Sequence, residues 1–573
     1  MSTSFIKKTP RHYLPESFIV DSWETLATYF EELESRPLST VVELEKWLKD
    51  ASELEAVISE EASWRQIRMT CDTEDPALAA SFEFFMKKIQ PMIQPVADRL
   101  NRKLIDCPIT QELDTNKYFT FLRNIRKNIE LFHESNVAIQ SELNVAQQEY
   151  GIIAGKMSIE VNGQEYTLQQ ASKFLEDPDQ SLRESVYHKI AARRAQDRDK
   201  LETLFELLLD KRQQLAINAG FTDYRAYRFT ELGRFDYTPK DCELFHEAVR
   251  EQVMPLVNEL LEAKRKELGV DRLRPWDLEA EPIGTKPLRP FEKGNELIDK
   301  TIRCLEKLDP YFSNCISTMQ KMGRLDVDSR KGKAPGGYNC PLAETGAPFI
   351  FMNAAGTLDD ITTMVHESGH AVHSFLSHPL ELNGFKEYPT EMAEVASMSM
   401  EFFTMDHWDN FFTDAAELKR AKQQQLERVI ILFPWIATID AFQHWLYLNP
   451  GHSRSDRETA WVRILRDYTS PVLDISGTET YRSFLWQRQL HLFEVPFYYI
   501  EYGIAQLGAI GMWQQYQKNP KEALDHYRTA LEAGGTRTLP ELFKLAGLKF
   551  DLSPDHIGNL MRFVKAELEK IGH

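Results

Sequence analysis

One segment limits what this chain can become more than any other: residues 357–377, Thr-Leu-Asp-Asp-Ile-Thr-Thr-Met-Val-His-Glu-Ser-Gly-His-Ala-Val-His-Ser-Phe-Leu-Ser. Ile361, Met364, Val365, Val372, Phe375 and Leu376 recur at helical spacing and form one apolar stripe. Asp359, Thr362, Thr363, His366, His370, His373 and Ser377 fall on the opposite face. Residues four apart on a helix lie one above the other, so His366 and His370 can present two imidazoles to one metal ion. Glu367 sits about 100° round the helix, beside the ligands and out of line with them. That place suits a general base acting on a metal-activated water. In a chain with this histidine content the bare His-Glu-x-x-His pattern arises by chance on the order of once in thirty, so its context matters. A row of three histidines with threonines is expected to line a cleft; the plainer alternative is an amphipathic surface helix with incidental histidines.

A catalytic zinc needs three protein ligands and one open position. Downstream runs Tyr388-Pro389-Thr-Glu391-Met-Ala-Glu394-Val-Ala-Ser-Met-Ser-Met-Glu401. Pro389 suits the first turn of a helix. On that helix Glu394, Ser397 and Glu401 share a face, while Val395, Met398, Phe402 and Phe403 can pack inward. Glu394 is the expected third ligand, with Glu391 the alternative. Glu401, two turns on, is expected to orient a ligand imidazole.

A third stretch, residues 491–509, offers donors for a tetrahedral oxyanion. Tyr498 and Tyr502 are four apart, and His491 precedes them. Gly503, Ala505, Gly508 and Ala509 let such a helix approach a neighbour closely. The competing reading is that these aromatics are core.

The 573 residues, 42% hydrophobic, suffice for a large core and more than one lobe. A net charge of −19 argues against nucleic acid and against anionic membrane surfaces as partners. Six scattered cysteines without Cys-x-x-Cys read as reduced thiols. No apolar leader is seen in the first ten residues, and no run of about 18 apolar residues suggests a membrane span. The expectation is a cytoplasmic protein.

Along the chain, long amphipathic helices are expected over 22–34, 39–62 and 75–104, the last with Asp75 as N-cap and Pro76 as first residue. Residues 157–168 alternate about Asn162-Gly163, a type I′ hairpin signal. Another helix is expected over 239–268, followed by an irregular stretch at 272–286. The Gly-rich loop Lys331–Tyr338 lacks the ending of a phosphate-binding loop. Residues 348–353 read as a strand, which as an edge could hold an extended peptide by main-chain hydrogen bonds and otherwise is an ordinary buried strand.

Taken together, His366-Glu-Ser-Gly369-His370, the pair Glu394 and Glu401 seven apart, Lys333-Ala-Pro-Gly-Gly-Tyr338, Phe442-Gln-His-Trp-Leu-Tyr-Leu-Asn-Pro450 and the His491, Tyr498, Tyr502 region resemble the oligoendopeptidase F and thimet oligopeptidase family of zinc metallopeptidases. The likeness runs from about residue 166 to the end. It implies a mainly α, two-lobed helical shell around a deep central channel, with a small β-sheet near the site at about 270–355. A helical region over 1–165 would precede a catalytic region over 166–573. One Zn2+ per chain would be held by His366, His370 and Glu394, with Glu367 as base. Tyr498, Tyr502 and His491 would serve the oxyanion, with Tyr499 open as a replacement for Tyr498. Gly336, Gly337 and Tyr338 would bind substrate. The implied reaction is internal cleavage of short unfolded oligopeptides. A carboxypeptidase or dipeptidase trimming peptide ends is the alternative within the class, and an inactive peptide-binding helical protein the alternative outside it. Oligomeric state is left open.

Overall fold

The computed structural model describes residues 10–572 apart from Ile283 and Pro335; residues 1–9, where a leader was sought, lie outside the described residues. The chain is mainly helical, as expected. It forms two compact units that do not follow chain order. The first comprises Met1–Phe132, Leu288–Lys422 and Ala505–Phe550. The second comprises His133–Pro287, Gln423–Ile504 and Asp551–His573. A cut at residue 165 divides the sequence; compactness groups it differently, because each unit draws on three separate stretches.

In the first unit the N-terminal helices start where their caps dictate. Ser22 accepts from the Thr25 N–H ahead of Trp23–Ser35. Thr40 and Glu43 form a reciprocal capping box ahead of Val41–Cys71, which runs nine residues beyond the expected end at 62. Trp47, Leu48, Leu54 and Val57 are buried in one core with Leu26, Phe30 and Leu33. Asp75 caps Pro76–Phe84. The helix expected to continue to 104 instead widens into a π turn at Phe85–Ile89 before Gln90–Asp106. The helix expected over 239–268, in the second unit, widens likewise at Val249–Val253. Each wide turn ends two residues before a proline, Pro91 or Pro255. Proline has no N–H for the ladder and crowds the preceding turn, and the wider turn absorbs both.

The second unit carries the hairpin β1 (Ser158–Val161) and β2 (Gln164–Thr167), in register from Ser158 opposite Thr167 to Val161 opposite Gln164. Asn162 and Gly163 have φ of 54° and 79°, the left-handed pair of a type I′ turn. Helix Ala415–Leu448 is, among the described residues, the one helix long and apolar enough to cross a membrane, and 72% of its most apolar window is buried inside the protein. It reads as a core helix; Asp440, Gln443 and His444 near its end keep the apolar run short.

The sheet lies in the first unit: β3 (Leu325–Asp328), β4 (Tyr338–Cys340) and β5 (Phe349–Ala354), in the order β3-β5-β4. β3 runs parallel to β5, and β4 antiparallel to it. The strand expected at 348–353 is therefore the central one, paired on both sides, and offers no edge. Among the described residues the far side of β4 pairs with no other strand. Lys333 ties this sheet together. Its ammonium is fully buried and donates to the carbonyls of Asp326, Asp328 and Met352 and to the Asp326 carboxylate.

Two helices of this unit set the site. The ligand helix, Leu358–Ser377, begins at a capping box of Thr357 and Asp360. The carboxylate helix, Thr390–Met405, follows Pro389. They cross so closely that a Cβ on Gly369 would lie 2.6 Å from the Ala396 carbonyl oxygen and 2.6 Å from Ser397 Cα. The phenol of Tyr527 donates to that same Ala396 carbonyl at 2.7 Å. Gly535 closes the link between the two helices. Its N–H donates to the Phe385 carbonyl at 2.7 Å, and a Cβ there would collide with the Glu387 carbonyl oxygen.

Candidate active site

The ligand helix departs from the expected half-buried pattern. Thr362, His373 and Ser377, expected to line a cleft, are buried. The His373 ring stacks on Tyr388 with centroids 3.5 Å apart and planes at 14°. Tyr388 supplies an aromatic surface for this side of the helix, a partner that helical periodicity could not announce. Thr363, His366 and His370 keep partial access.

The carboxylate helix brings Glu394 to the two imidazoles. Its Oε2 lies 3.3 Å from His366 Nε2 and 3.9 Å from His370 Nε2. One ligand atom from each of His366, His370 and Glu394 falls within 4.8 Å of the others. Glu391, one turn earlier and buried, is not in this group. His366 Nδ1 donates to Glu401 Oε1 at 2.8 Å, which turns Nε2 toward the group, and Ser397 donates to Glu394 Oε2 at 3.2 Å. The donor set of two imidazoles and a carboxylate suits a divalent transition metal such as zinc.

Burial lowers the pKa of His366, but hydrogen bonds to Glu394 and Glu401 outweigh it and hold the imidazole well above its ordinary value. His370 is pushed down to about 4 by burial, with Glu394 opposing, and keeps a free lone pair. Burial pushes Glu367 up to about 7, against the pull of His366 and with Glu394 and Glu401 adding to it. Its Oε2 is buried with no hydrogen-bond partner among the described residues. On the other side of the helix, Asn339 of β4 donates to the Glu367 carbonyl at 3.2 Å and ties sheet to helix.

Gly336 has φ of 97°, open to glycine and costly for other residues. A Cβ on Gly337 would stand 3.4 Å from the Phe351 carbonyl oxygen. Tyr338 stacks on Phe351 at 4.9 Å, and its hydroxyl is 2.6 Å from that of Thr70.

His491, Tyr498 and Tyr502 belong to the second unit and form a cluster there. His491 Nε2 is 3.4 Å from the Tyr502 hydroxyl, and the Tyr498 and Tyr502 rings meet edge to face at 5.2 Å. Those three keep partial access, whereas Tyr499 is buried. The backbone that sets their direction is strained: Phe497 has φ of 65°, a region that costs a non-glycine residue about 1–3 kcal/mol. Its N–H donates to Gln443 and its carbonyl accepts from Arg234. Arg234 also pairs with Glu501 at 3.0 Å. Sequence reading missed Arg234 and Gln443; for Gln443 the signal available was a polar residue on an otherwise apolar helix, whereas Arg234 lies in the loop after Tyr224–Glu231 and gave none.

The second unit holds another close group of donors, Cys242, Asp440 and His444, all buried. Arg225 Nη1 lies 3.3 Å from His444 Nδ1. A guanidinium only donates, so Nδ1 accepts, and Nε2 lies 3.3 Å from the Asp440 carboxylate. His246 Nε2 is 2.8 Å from the same carboxylate oxygen. His246 and Asp440 are joined by a hydrogen bond, and His444 stands beside the same carboxylate.

Profile comparison matches residues 173–558 to peptidase family M3 and residues 17–132 to the peptidase M3 N-terminal domain. The chain belongs to peptidase family M3. An oligoendopeptidase F homolog of Borreliella burgdorferi is 23% identical over 459 residues, covering 78% of this chain and 73% of that one. A second, from Lactococcus lactis subsp. lactis, is 23% identical over 373 residues, 62% of this chain and 59% of that one. Among solved structures, PZ peptidase A with an inhibitor superposes with a TM-score of 0.90 at 27% identity, over 96% of this chain and 98% of that one. Oligoendopeptidase F of Enterococcus faecium shares the fold, with a TM-score of 0.65 at 14% identity over 96% and 97% of the two chains. This M3 peptidase is a metallopeptidase that acts on short peptides.

Proposed function

We propose that this M3 peptidase is a zinc endopeptidase for short unfolded oligopeptides, with His366, His370 and Glu394 holding one ion. The observation that carries the reading is the convergence of two Nε2 atoms and one carboxylate oxygen beside a buried Glu367 oxygen left without a partner. Bound there, zinc supplies Lewis acidity toward the attacking water and the scissile carbonyl. Glu367 takes the proton from the water as it attacks and delivers it to the leaving amine. Burial raises the affinity of this carboxyl for a proton, which suits it to hold one between the two transfers. Glu401 fixes the His366 ring through Nδ1.

His491, Tyr498 and Tyr502 are assigned as donors to the developing oxyanion. Their clustering and partial access support this, and the burial of Tyr499 favours Tyr498 and Tyr502 over it. An extended substrate is assigned to the open side of β4, next to Gly336 and Gly337, where main-chain groups can pair with it. All six cysteines are free thiols, which supports a cytoplasmic location.

The test is digestion of peptides blocked at both ends, with products mapped by mass spectrometry. Internal cleavage that a chelator abolishes is expected. Cleavage only from a free end would replace this reading with an exopeptidase.

A further inference from the structure

Two residues of the second unit, Trp435 and Gln489, in hydrogen-bonded sequence set the proton position of a neutral His491. The indole N–H of Trp435 can only donate, and it donates to Gln489 Oε1 at 2.9 Å. That assigns the two ends of the amide, so Gln489 Nε2 is the atom facing His491 Nδ1 at 2.7 Å. An amide nitrogen also only donates. His491 Nδ1 therefore accepts and carries no proton, and the single proton of the neutral ring sits on Nε2. Nε2 is the atom 3.4 Å from the Tyr502 hydroxyl. Trp435 is itself held: Arg488 lies over its ring at 4.4 Å, and Trp461 meets it edge on at 5.9 Å.

We infer that Trp435 and Gln489 are positioning residues that hold His491 as its Nε2–H tautomer, a fixed hydrogen-bond donor beside Tyr502. This rests on the oxyanion role proposed for His491. The opposite tautomer would aim a lone pair at developing negative charge and repel it. The arrangement also separates the work of the two histidine types in this enzyme. His366 and His370 are assigned to hold the ion through Nε2, and His491 to offer a proton through the same atom.

The experiment measures kcat and KM on an internally quenched peptide, with metal content and melting temperature recorded for each variant. Gln489→Leu removes the amide. Trp435→Phe keeps the ring packing and frees the amide to turn. Both are expected to lower kcat at unchanged KM, metal content and melting temperature, by less than the roughly 100- to 1000-fold loss of an oxyanion donor outright. In a His491→Gln background neither should lower kcat further. Gln489→Glu gives a sharper signature. A carboxylate accepts, so it draws a proton onto Nδ1. Activity should survive at acid pH, where both nitrogens are protonated, and fall as pH rises and Nε2 loses its proton. Tyr498, Tyr499 and Tyr502 have their rings against that of His491, Arg488 lies over Trp435, and Tyr499 itself hydrogen-bonds Trp435 and Gln489. The substitutions leave the tyrosines and Arg488 in place but remove hydrogen-bond partners of Tyr499, so a Tyr499→Phe variant is profiled beside wild type as a second baseline. If His491→Gln loses turnover while Gln489→Leu and Trp435→Phe keep it, the inference is overturned and the oxyanion role stands. Equal losses with and without His491 also overturn it, since they mark a packing effect. If His491→Gln keeps wild-type kcat, the oxyanion role falls and takes this inference with it.

Discussion

Gly369 of the ligand helix has no room for a side chain, because a Cβ there would lie 2.6 Å from the carbonyl oxygen of Ala396 and 2.6 Å from Ser397 Cα, on the helix that carries Glu394. Both obstructing atoms are backbone, so a methyl group can be accommodated only by moving one helix away from the other. Gly369→Ala is expected to destabilise the protein by about 1–3 kcal/mol, as overpacking does. It should also loosen metal binding, since Glu394 would retreat from His366 and His370. Thermal melting and metal content after gel filtration check the two effects together.

Glu367 carries no metal in the proposed scheme, so the ion and the chemistry should separate on its substitution. Glu367→Gln is expected to retain metal and lose about 100- to 10,000-fold in kcat, the range for removing a general base. Chelation of the wild type should abolish turnover, and added zinc should restore it. If zinc supplementation also repairs the loss in the Glu367→Gln variant, Glu367 is a ligand and not the base.

Glu401 holds the proton-bearing Nδ1 of His366 at 2.8 Å. Glu401→Ala should weaken metal binding about 10- to 100-fold, as loss of such an orienting partner typically does. Competition with a chromogenic chelator measures this directly. Glu391→Gln, in the same assay, is expected to leave the affinity unchanged.

Asp440 is fully buried between two imidazoles. Burial favours its neutral form, but His444 and His246 outweigh burial and hold it well below the usual carboxylate range. A carboxylate depressed in this way contributes stability that is present above its unfolded pKa of about 4 and is lost as pH falls below it. The melting temperature of the wild type should therefore drop steeply on acidification below about pH 4. Asp440→Asn should lower stability at pH 7 by about 1–3 kcal/mol and flatten that acid limb.

What could be read from the sequence was local. The N-cap at Asp75, whose side chain accepts from the Ala77 N–H, the Asn162-Gly163 turn and the one-turn spacing of His366 and His370 each depend on neighbours a few residues away, and each appears as expected. What could not be read depends on partners distant in sequence. Residues 348–353 look like a strand, but their central place comes from Leu325 and Asp326 on one side and Tyr338–Cys340 on the other. His373 has the spacing of a cleft residue and is buried because Tyr388 covers it. Lys333 sits in a glycine-rich loop that in sequence shows only the lack of a phosphate-binding ending, yet four oxygens from two strands enclose it. Gln489 lies only two residues from His491, but its meaning comes from Trp435, more than fifty residues earlier.

The hold that Tyr527 and Gly535 keep on the two site helices has a consequence for how the enzyme is made. A ribosome that has finished Glu401 has already delivered His366, Glu367, His370 and Glu394. The clasp that fixes the helices at their spacing is still unsynthesised. A growing chain at that point thus carries the proposed metal ligands and base before Tyr527 and Gly535, and before His491, Tyr498 and Tyr502, have been made.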